Sequence, residues 1–98
     1  MEFTLLPSQF FLDQAGELSD EAARLVEKKL LLVKSSPFRN KRIHGYQLFL
    51  FRIRFEDGKK EKRVIYLVDK PHVKILCILD RDNDYKDLRK YLEKLGYL

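Results

Sequence analysis

Between Gln47 and Val68 the chain reads QLFLFRIRFEDGKKEKRVIYLV, and this segment constrains the fold more than any other. Phe49, Phe51, Ile53 and Phe55 occupy every second position, with Leu48, Leu50, Arg52 and Arg54 between them. Side chains alternate across a strand, so a period of two places the first set on one face and the second on the other. Asp57-Gly58 follows and is a strong hairpin signal. The return strand runs over about residues 62–68, and after a Lys70-Pro71 turn a third strand runs over 73–79. These last two strands are apolar on both faces, so both faces must be covered. The amphipathic tail DYKDLRKYLEKLGYL, with Leu88, Tyr91, Leu92 and Leu95, is the natural cover for one of them.

The N-terminal third supplies the other cover. EFTLL at residues 2–6 alternates as a first strand that Pro7 ends, and residues 8–16 suit a short helix broken near Gly16. Ser19 is placed as an N-cap, with Asp20 and Glu21 in the first turn where the helix dipole favours negative charge. Ala22, Val26, Leu30 and Val33 then recur at helical spacing, and the helix should stop at Ser35-Ser36-Pro37. Arg39–Gly45 reads as a basic loop. The expected architecture is α+β, in the order β-α-α-β-β-β-α. It has a mostly antiparallel sheet, a helix pair from the N-terminal part on one face, and a C-terminal helix.

Ninety-eight residues fit one domain, spanning 1–98. No apolar run approaches the roughly 20 residues that cross a bilayer, so no membrane role is expected. The first residues lack the basic and apolar regions of a signal peptide. Cys77 is the only cysteine, which excludes an intrachain disulfide and a cysteine-built zinc site. With only His44 and His72 besides, no metal and no cofactor is expected. These features point to a reducing cytoplasm.

The net charge of +5 is unevenly spread. Residues 39–63 carry nine basic and three acidic side chains, whereas residues 1–38 carry four and six. A cluster of this kind suits a polyanion or an acidic protein partner, and equally describes a solvated basic face. Within and around it, Arg39, Lys41, Arg42, His44 and Lys62 are candidate RNA contacts. Arg39 and His44 form an R-x4-H spacing used by an all-helical ribonuclease family, which a strand-rich chain shares by coincidence. Tyr46, Phe49 and Phe51 read as core side chains, and so does Cys77.

At residues 43–85 these features meet a known pattern. IHGY, FRIRF, RVIYLVD and VKILCILDRDNDY, in that order, resemble the RelE/ParE superfamily of toxin–antitoxin toxins. The resemblance covers the whole chain in topology and about 45 residues in motif. It implies a metal-independent, ribosome-dependent endoribonuclease, an mRNA interferase that inhibits translation by cutting mRNA in the ribosomal A site. It also implies a cognate antitoxin protein as partner. The gyrase-poisoning ParE branch and a catalytically inactive toxin fold that binds antitoxin or RNA are the alternatives.

Metal-independent RNA cleavage proceeds by attack of a 2′-OH on the adjacent phosphate. It needs a base for the 2′-OH, an acid for the 5′-oxygen, and cations for the charge that develops on phosphorus. Guanidinium forks match phosphate better than ammonium groups do. Arg52 and Arg54 share a face of one strand, Arg63 opens the facing strand, and Arg81 closes the next. The resemblance places the family's active-site cations at Arg52, Arg54, Arg63 and Arg81 and its functional tyrosine at Tyr85. Arg54 is a poor base, because arginine does not readily deprotonate. Asp80, where the family often has histidine, and Tyr85 are the candidate proton-transfer groups; Asp80 is equally a candidate ion-pair partner for Arg81.

Overall fold

The computed structural model describes residues 2–81 and 85–98. Its elements run β1 (Thr4–Pro7), α1 (Gln9–Ala15), α2 (Asp20–Ser35), β2 (Lys41–Ile43), β3 (Leu50–Asp57), β4 (Lys60–Asp69), β5 (His72–Asp80) and α3 (Lys86–Lys94). The five strands form one sheet in the order β1-β5-β4-β3-β2. Among the described residues only β1 pairs in parallel, with β5, and every other pairing is antiparallel.

The ends of the elements follow the local chemistry. Ser8 and Ser19 cap α1 and α2, each hydroxyl accepting from the backbone N–H three residues on at 3.1 Å. The β3–β4 hairpin turns on Gly58 and Lys59, with Gly58 at φ 64°, a left-handed angle that glycine adopts without strain. The Asp57 carboxylate at its mouth accepts from the Ser19 N–H at 3.2 Å, tying the hairpin to the start of α2. Pro7 sits at the end of the edge strand β1, where its missing N–H costs no ladder bond. Beyond it, the side chain of Gln14 takes over the exposed rim of β5. Its Oε1 accepts from Ile78 N at 2.6 Å, and its Nε2 donates to Ile78 O at 2.9 Å and to the Tyr91 hydroxyl at 3.0 Å.

Two apolar layers sandwich the sheet. Under α1 and α2 lie Phe11, Ala22, Val26, Leu30 and Val33, packed on Phe51, Ile53, Phe55, Val64, Tyr66 and Val73. Under α3 lie Leu88 and Leu92, fully buried against Leu50, Ile65, Leu67, Leu76, Cys77 and Leu79. Burying one such side chain contributes about 1.5–3 kcal/mol, so α3 is held by its stripe and not by its short length. The helix pair and the tail helix therefore cover opposite faces, as the doubly apolar strands require. No helix among the described residues is long and apolar enough to cross a membrane.

Three features depart from the sequence reading. The segment 39–45 is not all loop: β2 extends the sheet, with Lys41, Arg42 and Ile43 opposite Arg52, Phe51 and Leu50. Its only buried side chain is Ile43, too little to give an alternation signal, and the open edge of β3 decides the pairing. Phe49 is not a core residue: it precedes β3, is 52% exposed, and carries the Arg42 guanidinium over its ring at 4.6 Å. Finally, β5 contains a bulge. Tyr66 pairs with Ile75 and Ile65 with Cys77, so Leu76 is an extra residue that shifts the register for the rest of the strand.

Candidate functional site

Cross-strand register assigns the site's side chains to one face. Arg54 lies directly opposite Arg63, Arg52 opposite Ile65, and Arg63 opposite Leu79. Partners across a ladder share a face, and Ile65 and Leu79 belong to the layer beneath α3. Arg52, Arg54 and Arg63 therefore stand on the α3 face, with Lys41 beside them through its pairing with Arg52.

Tyr85 draws two of them together. It sits at the N-cap of α3 with φ 65°, a left-handed backbone uncommon for a residue with a Cβ and one that costs of order 1–2 kcal/mol. That geometry brings its hydroxyl within 2.8 Å of Arg52 Nη1, which donates to it, and lays its ring under the Arg63 guanidinium at 4.9 Å. Strain of this kind persists where surrounding contacts hold it, and here two arginines do.

Arg63 is the one charged residue that is buried among the described residues, at 7% exposure. Its Nε is shielded from solvent and has no hydrogen-bond partner among them. A buried donor without an acceptor is costly, and its Arg54 neighbour adds like-charge repulsion. The Tyr85 ring offsets part of this cost, and an anion laid against the arginines would offset the like-charge repulsion.

Arg81 reaches the same side of the sheet by another route. Its Nε lies 3.2 Å from Glu61 Oε2, and Glu61 precedes Arg63 by two residues on β4. The guanidinium is largely exposed and the Glu61 side chain is 25% exposed. Glu61 did not figure among the sequence candidates, although a spacing of two from Arg63 marks it as a neighbour on the same face.

The remaining candidates divide. Asp80 is paired with Lys62 across the β4–β5 ladder, and the two side chains form an ion pair of 2.8 Å. Lys62 alternates with Arg63, so this pair belongs to the opposite face. Asp80 is thus neither beside the arginine cluster nor the partner of Arg81, and Lys62 is not among the exposed basic contacts. Arg39, Lys41, Arg42 and His44 are all exposed around β2. Lys41 shares the face of Arg52, while Arg42 lies over Phe49 on the other. The residues between Arg81 and Tyr85 in the DRDNDY motif lie outside the described residues.

The motif tyrosine of RVIY has a structural role. Tyr66 is fully buried, stacks on Phe51 at 5.4 Å, donates to Pro37 O at 2.7 Å and accepts from Asn40 Nδ2 at 3.0 Å. It anchors the segment between α2 and β2 that carries the basic residues. Burial pushes its hydroxyl pKa up from 10.0 to about 12, against the opposing hydrogen bond from Asn40. Cys77 is likewise buried and its thiol is raised to about 12, mainly by desolvation, so it is an inert core side chain. Among the described residues no group of His, Cys, Asp and Glu is arranged to hold a metal ion.

With two helices on one face of this sheet, a third on the other and a single parallel edge strand, the chain has the RelE toxin fold. A mutant of the E. coli toxin RelE in the free state matches it with a TM-score of 0.78 and 17% identity, over 97% of this chain and 98% of that one. The intact E. coli RelBE toxin–antitoxin complex contains a chain matching with a TM-score of 0.68 at 21% identity, over 79% of this chain and 94% of that one. The isolated E. coli RelE toxin gives 0.67 and 21%, over 92% and 98%. No protein-family model matches the sequence, and no curated protein matches it significantly.

Proposed function

We propose that this protein is the toxin of a toxin–antitoxin pair and acts as a metal-independent endoribonuclease on mRNA in the ribosomal A site. The observation that carries the reading is Arg63: a buried guanidinium with an orphaned Nε, seated on Tyr85 and flanked by Arg54. Such a group suits a phosphodiester better than it suits an empty site. In the reaction, Arg52, Arg54, Arg63 and Arg81 grip the scissile phosphate and offset charge as the 2′-oxygen attacks phosphorus. The 5′-oxygen departs, leaving a cyclic phosphate on one fragment and a 5′-hydroxyl on the other. By analogy with an oxyanion-hole donor, losing one of them should cost about 2.7–4 kcal/mol of transition-state stabilisation. Tyr85 holds Arg52 and Arg63 in register, and the exposed Arg39, Lys41, Arg42 and His44 extend the RNA path.

The likeness to a toxin and to a toxin–antitoxin complex supports both the toxin role and a small antitoxin partner, and a cytoplasmic site of action goes with them. Acidic or amphipathic segments of such a partner would neutralise the basic stretch 39–63 or displace α3 from its apolar face. Conditional expression with mapping of mRNA 5′ ends tests the activity. We expect growth arrest, cuts within translated frames, and loss of both in Arg63→Ala or Arg81→Ala proteins that remain folded. Unchanged toxicity in both variants would refute the site, and altered plasmid supercoiling without RNA cuts would move the target to gyrase. Purification from the native host should recover a small co-encoded protein bound to this chain.

A further inference from the structure

The arginine face contains guanidinium groups and a phenol but needs an acceptor for the 2′-OH proton, and both groups considered from sequence fall short. Asp80 is on the other face with Lys62, and the Tyr85 hydroxyl already accepts from Arg52. Among the described residues, two carboxylates do stand on the arginine face. Glu56 and Glu61 face each other across the β3–β4 ladder, each two residues from an arginine of the cluster, Glu56 from Arg54 and Glu61 from Arg63. They are not equivalent. Glu56 is exposed, whereas Glu61 is half-buried and its Oε2 is fixed 3.2 Å from Arg81 Nε. Two residues along a strand is about 6.6–6.8 Å of backbone, which makes Glu61 the next side chain along the same face from Arg63. An ionised carboxylate has acceptor sites only, and the Arg81 contact at Oε2 leaves Oε1 for a ribose hydroxyl.

We propose that Glu61 is the general base of the cleavage reaction, held in position by Arg81, an inference that rests on the ribonuclease reading above. The 2′-OH proton passes to Glu61 as the O2′–P bond forms. The P–O5′ bond breaks with its electron pair going to O5′, which takes a proton from water. Glu61 then returns its proton to solvent, so the enzyme is restored and the RNA yields a 2′,3′-cyclic phosphate and a 5′-hydroxyl. Arg81 thereby gains a second task besides phosphate binding, because its guanidinium aims the carboxylate.

The test is single-turnover cleavage by the full chain on ribosomes programmed with mRNA, for wild type, Glu61→Gln, Glu61→Asp, Glu56→Gln, and Glu61→Ala with and without added formate or nitrate. Gln keeps the shape and the contact with Arg81 but accepts no proton. General-base catalysis contributes about 10²–10⁴-fold, and Glu61→Gln should slow cleavage by that factor with ribosome affinity and melting temperature little changed. Formate, but not the equally planar but non-basic nitrate, should restore part of the rate to Glu61→Ala. Glu56→Gln should cleave like wild type. Three results overturn the assignment: Glu61→Gln within threefold of wild type, a Glu61→Ala that formate fails to rescue or that nitrate rescues equally (a role in positioning Arg81 alone), or a defect of equal size in Glu56→Gln. If Glu61→Gln fails to fold, the formate and nitrate arms on Glu61→Ala decide. A wild-type protein that cuts no RNA on ribosomes refutes the ribonuclease reading itself, and the base falls with it.

Discussion

Replacing Arg63 by methionine should change the stability of the fold only slightly, with a loss of at most about 1 kcal/mol, while removing activity. Arg63 is 7% exposed with its Nε unpartnered, a defect that costs about 1–3 kcal/mol. The Arg54 guanidinium opposite adds a like-charge penalty of roughly 0.2–1 kcal/mol. Against this stands the contact with the Tyr85 ring at 4.9 Å, which contributes about 2 kcal/mol when desolvated. Methionine fills a similar volume without a polar atom, and its thioether also packs on aromatic edges. The balance lies between about 1 kcal/mol of loss and about 2 kcal/mol of gain, judged from those terms together. A buried arginine that served the fold would instead cost about 3–5 kcal/mol on losing its charge. Urea unfolding at constant m-value measures the difference, and each kcal/mol moves the melting temperature by about 4–8 °C in a domain of this size. Phosphate provides a second arm: at ten times its dissociation constant it should stabilise the wild type by about 1.4 kcal/mol beyond its effect on the Arg63→Met protein. A loss above about 3 kcal/mol, or equal stabilisation of both proteins by phosphate, would refute the view of Arg63 as a group kept for an anion.

Tyr85→Phe keeps the ring under Arg63 but removes the 2.8 Å bond from Arg52, so ribosome-dependent cleavage should fall about 10–100-fold, the worth of a hydrogen bond to a charged group. Asp80→Asn, assayed alongside, should cleave within about threefold of wild type because Asp80 pairs with Lys62 on the opposite face, a loss of under about 1 kcal/mol. Tyr66→Phe strands Pro37 O and Asn40 and should destabilise by about 1–3 kcal/mol in urea, without a direct effect on the arginines. Alkaline pH offers a further check. The Cys77 thiol ionises near 9.0 in the unfolded chain but near 12 when folded, so the folded state holds the extra proton between those values. Stability should therefore fall by about 1.4 kcal/mol per pH unit as pH rises through that window, and Cys77→Ala should lose this slope between pH 9 and 10, before Tyr66 contributes its own. An unaltered slope in that variant would contradict the assignment.

Local patterns in the sequence were enough for most of the architecture. Alternation through Phe51, Ile53 and Phe55, the glycine of the hairpin, the serine caps and the stripe from Ala22 to Val33 each act over a few residues, so each is legible without knowing its neighbours in space. The need for helices on both faces was also legible, because strands apolar on both sides cannot face water. Alternation likewise placed Arg52 and Arg54 on one face. The short strand β2 was not legible, since its hydrogen bonds come from the free edge of β3 and its side chains are mostly exposed.

The composition of the site turned on one residue that no periodicity reveals. Had the register set at Asp69 and His72 continued unbroken, Arg63 would face Ile78 and Glu61 would face Asp80. Asp80 would then stand on the arginine face and Arg81 would be turned away from it. The bulge at Leu76 exchanges the two: Asp80 goes to Lys62, and Arg81 comes to Glu61. The segment VKILCILDR cannot encode that choice by alternation, because its apolar residues satisfy either face. Packing selects it, with α3 taking Leu76, Cys77 and Leu79 on one side and the helix pair taking Ile75 and Ile78 on the other.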